Sequence, residues 1–298
     1  MAAEKSTAIV LRVIEFSETS CIVTMMTRDF GKITVMAKGA RRPKSAFEAA
    51  LDVLASVRIV FLHKTNGTMS LLTEAKLERR FRSSATDLDR LYAGYYVVEL
   101  LNSLTDDGDP QPDLFELADQ TIKDIDTRKS DLANTLMDFE LKTLEILGHL
   151  PMLTKCVSCG KEKTTLARVS FGLNAGGILC ASCRRGQTHV VSLSPNGLQN
   201  LLSKVGGQIG ANEKNSDNWN SKTLKVKETP GELWPIRDKN HETSRTSTIE
   251  TATELKTDAD EQFHDLKKAD KEVRQLVNKY ITHLLGFPPR LHKFLKNI

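Results

Sequence analysis

Ser20-Cys21-Ile22-Val23-Thr24-Met25-Met26, then Asp29-Phe30-Gly31-Lys32, then Ile33-Thr34-Val35-Met36-Ala37: these three runs decide how the first part of the chain is read. Two β-rich segments flank a short turn, and Gly31 is free to take the positive φ that a tight hairpin requires. Working outward, residues 7–14, 53–61 and 68–75 are also β-rich, and Asn66-Gly67 marks a further turn. Five short strands within residues 1–80 predict a small closed barrel. An OB-fold is the natural five-stranded choice, although an SH3-like barrel satisfies the same pattern. Cys21 stands alone in an apolar alternating run and reads as a core residue.

Past residue 81 the periodicity becomes helical, predicting a helical domain over 81–150 and an α+β, multidomain chain. Leu91, Tyr95, Val98, Leu101 and Leu104 recur at spacings of three and four. A second stripe, Leu114, Leu117, Ala118, Thr121, Ile122 and Ile125, follows the break Asp106-Asp107-Gly108-Asp109-Pro110. A third contains Leu132, Leu136, Phe139, Leu141, Leu144 and Leu147, with Asp113 a candidate cap for the second helix and Gly148 a stop for the third. Ser194-Pro195 opens a helical continuation over 192–205. Residues 206–260 are rich in Asn, Ser, Thr, Lys and Glu and predict a polar, disordered insertion with Trp219 and Trp234 as its large anchors. Residues 261–298 predict a C-terminal helix completing the helical domain.

Between these helical parts, residues 151–191 carry four of the five cysteines as Cys156-x-x-Cys159 and Cys180-x-x-Cys183, with 20 residues between the pairs. Two such turns can each give two sulfurs to one tetrahedral Zn²⁺ at Zn–S distances of about 2.3 Å. Four sulfurs leave no open position for water, so the site reads as structural zinc. Disulfides would need an oxidising compartment, and nothing at the N-terminus resembles a signal peptide. No apolar run approaches the ~18 residues of a membrane span. These features predict a soluble protein of a reducing, cytoplasmic compartment. His189, beyond a complete four-sulfur set, reads as a solvated loop residue.

Net charge is only +4, but its distribution is uneven. Residues 1–82 carry 14 Lys/Arg against 8 Asp/Glu, residues 83–150 carry 5 against 15, and residues 151–298 carry 23 against 15. Basic ends around an acidic middle fit an anion-binding protein, since local clusters set the field a partner meets. The densest cluster is Lys38-Gly39-Ala40-Arg41-Arg42-Pro43-Lys44-Ser45, after the third strand. Lys38, Arg41, Arg42 and Lys44 on such a loop can track phosphates, with Arg28 and Lys32 flanking the preceding turn and Phe30 as a stacking surface between them. Lys267, Lys268, Lys271, Arg274 and Lys279, with Arg184 and Arg185 beside the second cysteine pair, could extend the track. No Walker loop, nucleophile elbow or open His-rich metal centre is present, so the chain does not read as an enzyme.

Taken in order, these segments resemble the bacterial recombination-mediator family RecO over most of residues 5–205 and again at about 263–298. The matching stretches include the turn Asp29-Phe30-Gly31-Lys32 with the basic loop, Tyr96-Val97-Val98-Glu99-Leu100-Leu101 and Pro112-Asp113-Leu114-Phe115-Glu116-Leu117. Gly148-His149-Leu150-Pro151, Cys156-Val157-Ser158-Cys159-Gly160 and Gly176-Gly177-Ile178-Leu179-Cys180-Ala181-Ser182-Cys183 complete the set. The resemblance implies an N-terminal OB-fold and a helical domain carrying an inserted zinc module. It also implies non-catalytic work at the nucleoid: binding single- and double-stranded DNA, annealing strands, and helping load recombinase on coated single strands. RecR and single-strand-binding protein are the implied partners. The long insertion departs from the compact family pattern. A zinc-containing protein–protein adaptor without DNA binding is the rival expectation; a zinc-ribbon RNA-binding or transcription factor is a third, and a metal-dependent nuclease a fourth.

Overall fold

The computed structural model describes residues 3–43, 45, 47, 50–63, 69–83, 87–128, 131–162, 168–212 and 247–295, with backbone alone at 207–212, 247–264 and 266. By contacts the chain divides into two compact units, Met1–Leu193 with Arg274–Ile298, and Ser194–Val273.

Within the first unit, five strands form the barrel: β1 (Ala3–Glu15), β2 (Cys21–Thr27), β3 (Gly31–Ala37), β4 (Ser56–Leu62) and β5 (Ser70–Arg79). Their order is β1-β2-β3-β5-β4, and β4 pairs back onto β1 to close it. This is the OB order, which settles the choice left open by strand count. The parallel β3–β5 seam has three residue pairs, Val35 with Ser70, Met36 with Leu71 and Ala37 with Leu72. All other seams are antiparallel. Val10, Val23, Met25, Val35, Val57, Ile59 and Phe61 fill the interior, with Cys21 buried among them and Phe47 and Ala50 joining from the β3–β4 connection. Each such side chain contributes about 1.5–3 kcal/mol by leaving water.

The β2–β3 turn forms where the sequence placed it, and for two reasons. Gly31 has φ of 66°, and a Cβ there would stand 2.1 Å from the Asp109 carbonyl oxygen. The Thr27 hydroxyl completes the turn by donating to Gly31 O (2.7 Å) and accepting from Phe30 N–H (3.0 Å).

Three helices follow: α1 (Leu88–Leu104), α2 (Pro112–Thr127) and α3 (Leu132–Ile146). Asp87 and Asp131 cap α1 and α3 by accepting from Arg90 N–H and Asn134 N–H. α2 begins with Pro112 after Gln111, so Asp113 stands in its first turn rather than at its cap. Gly148, at φ 74°, ends the α3 region as expected. α1 departs from its expected stripe. Val98 and Leu101 are buried as expected, but so are Ala93, Gly94, Tyr96, Val97 and Leu100, while Tyr95 is 37% exposed. The cause is contact on more than one side: α1 lies against β1, α2 and α3, and a Cβ on Gly94 would be 2.8 Å from Leu54 Cδ1.

The cysteine-bearing segment adds a small sheet of β6 (Val169–Gly172), β7 (Gly177–Leu179) and β8 (Val190–Leu193), ordered β7-β6-β8. In the second unit, α4 (Pro195–Asn212) opens with Ser194 Oγ accepting from Gly197 N–H (3.0 Å). There, too, Asn200 donates to Asp270 on α5 (Ser247–Leu285) at 2.7 Å, and Leu198, Leu201, Ala269 and Val273 are buried. The backbone is helical over 206–212 and 247–260, both within the expected insertion. The remainder of that expectation, 213–246 with both tryptophans, lies outside the described residues. After α5, a 3₁₀ turn spans Arg290–Phe294. No helix among the described residues is long and apolar enough to cross a membrane.

Candidate metal centre and nucleic-acid interface

Both cysteine pairs sit on tight turns that the glycines make possible. Gly160 N–H donates to Cys156 O (2.8 Å) and Cys156 N–H to Lys161 O (2.9 Å), with Gly160 at φ 72°. Arg184 N–H donates to Cys180 O (2.9 Å), and Gly186 follows at φ 79°. The link between the turns is Val157 N–H to Ile178 O at 3.0 Å, which ties the first pair to β7. All four sulfurs lie within 4.8 Å of one another, and Cys159 and Cys180 are 3.8 Å apart. A tetrahedral ion with Zn–S bonds of about 2.3 Å spaces its sulfurs about 3.8 Å apart. Cys156 is buried, Cys180 and Cys183 are half-buried, and Cys159 is exposed.

The thiols share their protons unevenly. The Ser182 hydroxyl and then the Cys183 N–H bring Cys180 down to about 6. Cys183, whose thiol proton is held between Cys180 and Cys159, is pushed up to about 12. Burial pushes Cys156 up, but N–H groups of Cys180, Cys159 and Ser158 outweigh it and the net shift is downward. Four sulfurs this close can hold a metal ion once their protons leave, and an all-sulfur donor set fits a borderline or soft one.

Among the cations singled out in the sequence, the structure distinguishes three situations. The Lys32 ammonium is withdrawn into the protein. It donates to the Asn102 (2.9 Å) and Thr105 (2.6 Å) carbonyls at the end of α1 and sits 3.6 Å from Asp107. Arg28 is exposed, but its Nε donates to Glu116 on α2 at 2.7 Å, a bond that raises its pKa further. Arg41 braces two loops: Nη2 lies 3.1 Å from Glu15, Nη1 donates to Ser17 O (3.2 Å), and its N–H donates to Thr19 O (3.0 Å). Lys38 and Arg42 are exposed, and their side chains have no hydrogen-bond or ion-pair partner among the described residues, although Arg42 N–H donates to Gly39 O (3.1 Å). Lys44 lies outside the described residues.

Phe30 does not offer a stacking face. Its ring packs edge-on to Phe61, centroids 5.3 Å apart, against the barrel core. Next to the basic loop the exposed aromatic is instead Phe16, 59% accessible, on the β1–β2 loop that Arg41 ties to it. Sequence reading passed over it because an isolated Phe after an apolar strand looks like more core. Arg274, counted with the basic surface of the last helix, instead points inward to Glu140.

That pairing belongs to a buried polar group with no sequence signal beyond a Glu inside an apolar stripe. Glu140 is fully buried; it accepts from Tyr96 OH (2.6 Å) and Arg274 Nη1 (3.0 Å). Tyr96 OH is also 2.8 Å from His292 Nε2. Since the phenol proton goes to Glu140, Nε2–H is the donor to the phenol oxygen. Burial, and secondarily Arg274, lower His292 to about 4; burial raises Glu140 against the opposing pull of Arg274 and Tyr96.

The N-terminal domain model of recombination protein O matches residues 1–81, and the C-terminal one matches residues 85–218. The DNA repair protein RecO of Rhodopirellula baltica is 44% identical over 195 residues, covering 65% of this chain and 72% of that protein. The protein of the same name from Halalkalibacterium halodurans is 34% identical over 190 residues, 64% of this chain and 72% of that one. That of Salinibacter ruber is 36% identical over 151 residues, 51% and 58% respectively.

Proposed function

The chain belongs to the recombination protein O family, and from that premise we propose that it is a non-enzymatic DNA-repair mediator. In this reading it binds DNA, anneals complementary strands and assists recombinase loading on strands coated by single-strand-binding protein. RecR and single-strand-binding protein are its partners, and the cytoplasm, at the nucleoid, is its compartment.

One observation carries the DNA-binding part: two loops of an OB barrel, fastened by Arg41, present Lys38, Arg42 and Phe16 to solvent. Cations without protein partners are available to phosphates, and an exposed ring accepts any base because every base has a π-face. Lys38, Arg41, Arg42 and the adjoining Lys44 form the contact set. Arg28 and Lys32 act at one remove, fixing the β2–β3 hairpin against α2 and the end of α1. Annealing needs no bond chemistry. Two polyanions must be brought together, and a basic surface lowers their repulsion while releasing counterions.

Cys156, Cys159, Cys180 and Cys183 hold the zinc ion. Four thiolates fill its coordination shell, so the metal supplies folding energy rather than a reactive site. The test is annealing of complementary oligonucleotides, bare and then coated with single-strand-binding protein, by full-length metal-loaded protein. Acceleration without nucleotide, suppressed by salt, is the expected result. No acceleration and no DNA binding at low salt would replace this reading with the protein adaptor.

A further inference from the structure

A pocket of about 420 Å³ opens between His189, just before β8, the β6–β7 turn and the end of α5, and nothing assigned above uses it. Its polar lining is His189, Asn278, Lys279, Thr282 and His283. Every one of these side chains can donate a hydrogen bond, and no carboxylate is among the lining residues. A cation site has the opposite signature, with oxygen acceptors gathered and lysine kept away.

Three local features prepare the donors. His189 stands on left-handed backbone, φ 57°, a conformation costing a non-glycine residue about 1 kcal/mol or more. Leu173 N–H donates to His189 O at 3.0 Å and holds it there. The result sets the His189 ring 5.8 Å from that of His283, so two imidazoles share one rim. Asn278, also on the lining, keeps its Oδ1 buried without a partner. The carbonyl end of α5, which stops at Leu285, opposes an anion with about half a negative charge. The full charge of Lys279 and the neighbouring donors outweigh it.

We propose that this pocket binds a phosphate group through His189, Lys279 and His283. If the DNA-binding reading above holds, that phosphate belongs to a second strand, apart from the one on the barrel loops. Two separate phosphate sites on one molecule are what bringing two polyanions together requires.

The experiment is titration of inorganic phosphate, at constant ionic strength, into full-length metal-loaded protein, followed by NMR of the histidine rings. Only seven histidines contribute signals. The rings of His189 and His283 should shift together and saturably, with the midpoint raised at least about fivefold in Lys279→Gln. Lys279 is exposed, so that variant tests the pocket without disturbing a core; His283→Gln provides a second. Unmoved rings, or an unchanged midpoint in both variants, would overturn the phosphate assignment. A single-stranded oligonucleotide that competes phosphate away marks a phosphodiester as the ligand and supports the second-strand role. Phosphate binding without such competition keeps the site but assigns it to free phosphate. Protein that binds phosphate here yet shows no DNA affinity contradicts the proposed function and leaves the pocket intact.

Discussion

In the barrel, Val10, Val23, Met25, Val35 and Ile59 are wholly shielded from water by five strands that close on one another. The sheet of β6, β7 and β8 has strands of four, three and four residues, with four sulfurs beside it. One region draws its order from apolar burial distributed over many side chains. In the function proposed above the other concentrates it at a single bound metal, and structural Zn²⁺ binding in zinc-finger peptides is worth about 10–16 kcal/mol. What differs is how each should fail. Losing one side chain weakens the barrel by degrees, whereas losing the metal should undo the small sheet at once.

The most damaging test of that contrast removes the metal. Chelation, or Cys156→Ser, should abolish amide protection in β6–β8 while protection in β1–β5 persists in hydrogen exchange. Equal loss in both regions would show that they are not independent in stability. Next in size is a substitution in the helical layer, where stability depends on a buried charge pair. Glu140→Ala leaves Arg274 buried without its carboxylate and should cost about 3–5 kcal/mol in denaturant unfolding. Replacing both residues by apolar ones of similar volume should recover most of it. The barrel's own dependence on its neighbours is sharpened by Gly31→Ala. Left-handed backbone alone costs about 1–2 kcal/mol, and the clash with Asp109 O adds to it. A loss below 1 kcal/mol would mean that the loop after α1 yields freely to the hairpin.

The smallest effect is pH-dependent. His292 titrates near 4 in the folded protein, below its usual 6.5, so the unfolded chain takes up its proton first as pH falls. Its contribution to stability is therefore intact above 6.5 and is lost progressively from 6.5 down to 4. Glu140, shifted upward, works in the opposite direction, which is why the comparison must be with His292→Gln. The melting temperature of the wild type should fall relative to that variant over this interval. Parallel curves would place His292 outside the buried network.

The sequence disclosed both regions. Strand runs, the Gly31 turn and the paired cysteines are local patterns whose meaning survives without knowledge of the fold, and the barrel and the cysteine cluster were legible from them. The roles of cations were not. Lys32 and Arg42 look alike in the sequence, yet one is consumed by two carbonyls at the end of α1 and the other holds its guanidinium without a polar partner among the described residues. Phe30, expected to offer a stacking face, packs on the core while Phe16 is the exposed ring of the barrel loops, because exposure depends on what the fold brings alongside. Glu140, Arg274 and His292 come together over more than 150 residues of chain, a separation that no local pattern reports.

The central claim is that the barrel loops meet DNA through Lys38 and Arg42, and its most direct test is single-stranded DNA affinity against salt for Lys38→Ala/Arg42→Ala. Full-length protein with its metal content verified is required, so that lost structure is not read as lost contact. Wild type should bind with a salt-dependent affinity, and the variant should lose about 1.4 from the log–log slope, about 0.7 for each phosphate contact removed. An unchanged affinity and slope would contradict the account and move the DNA-binding surface away from these loops.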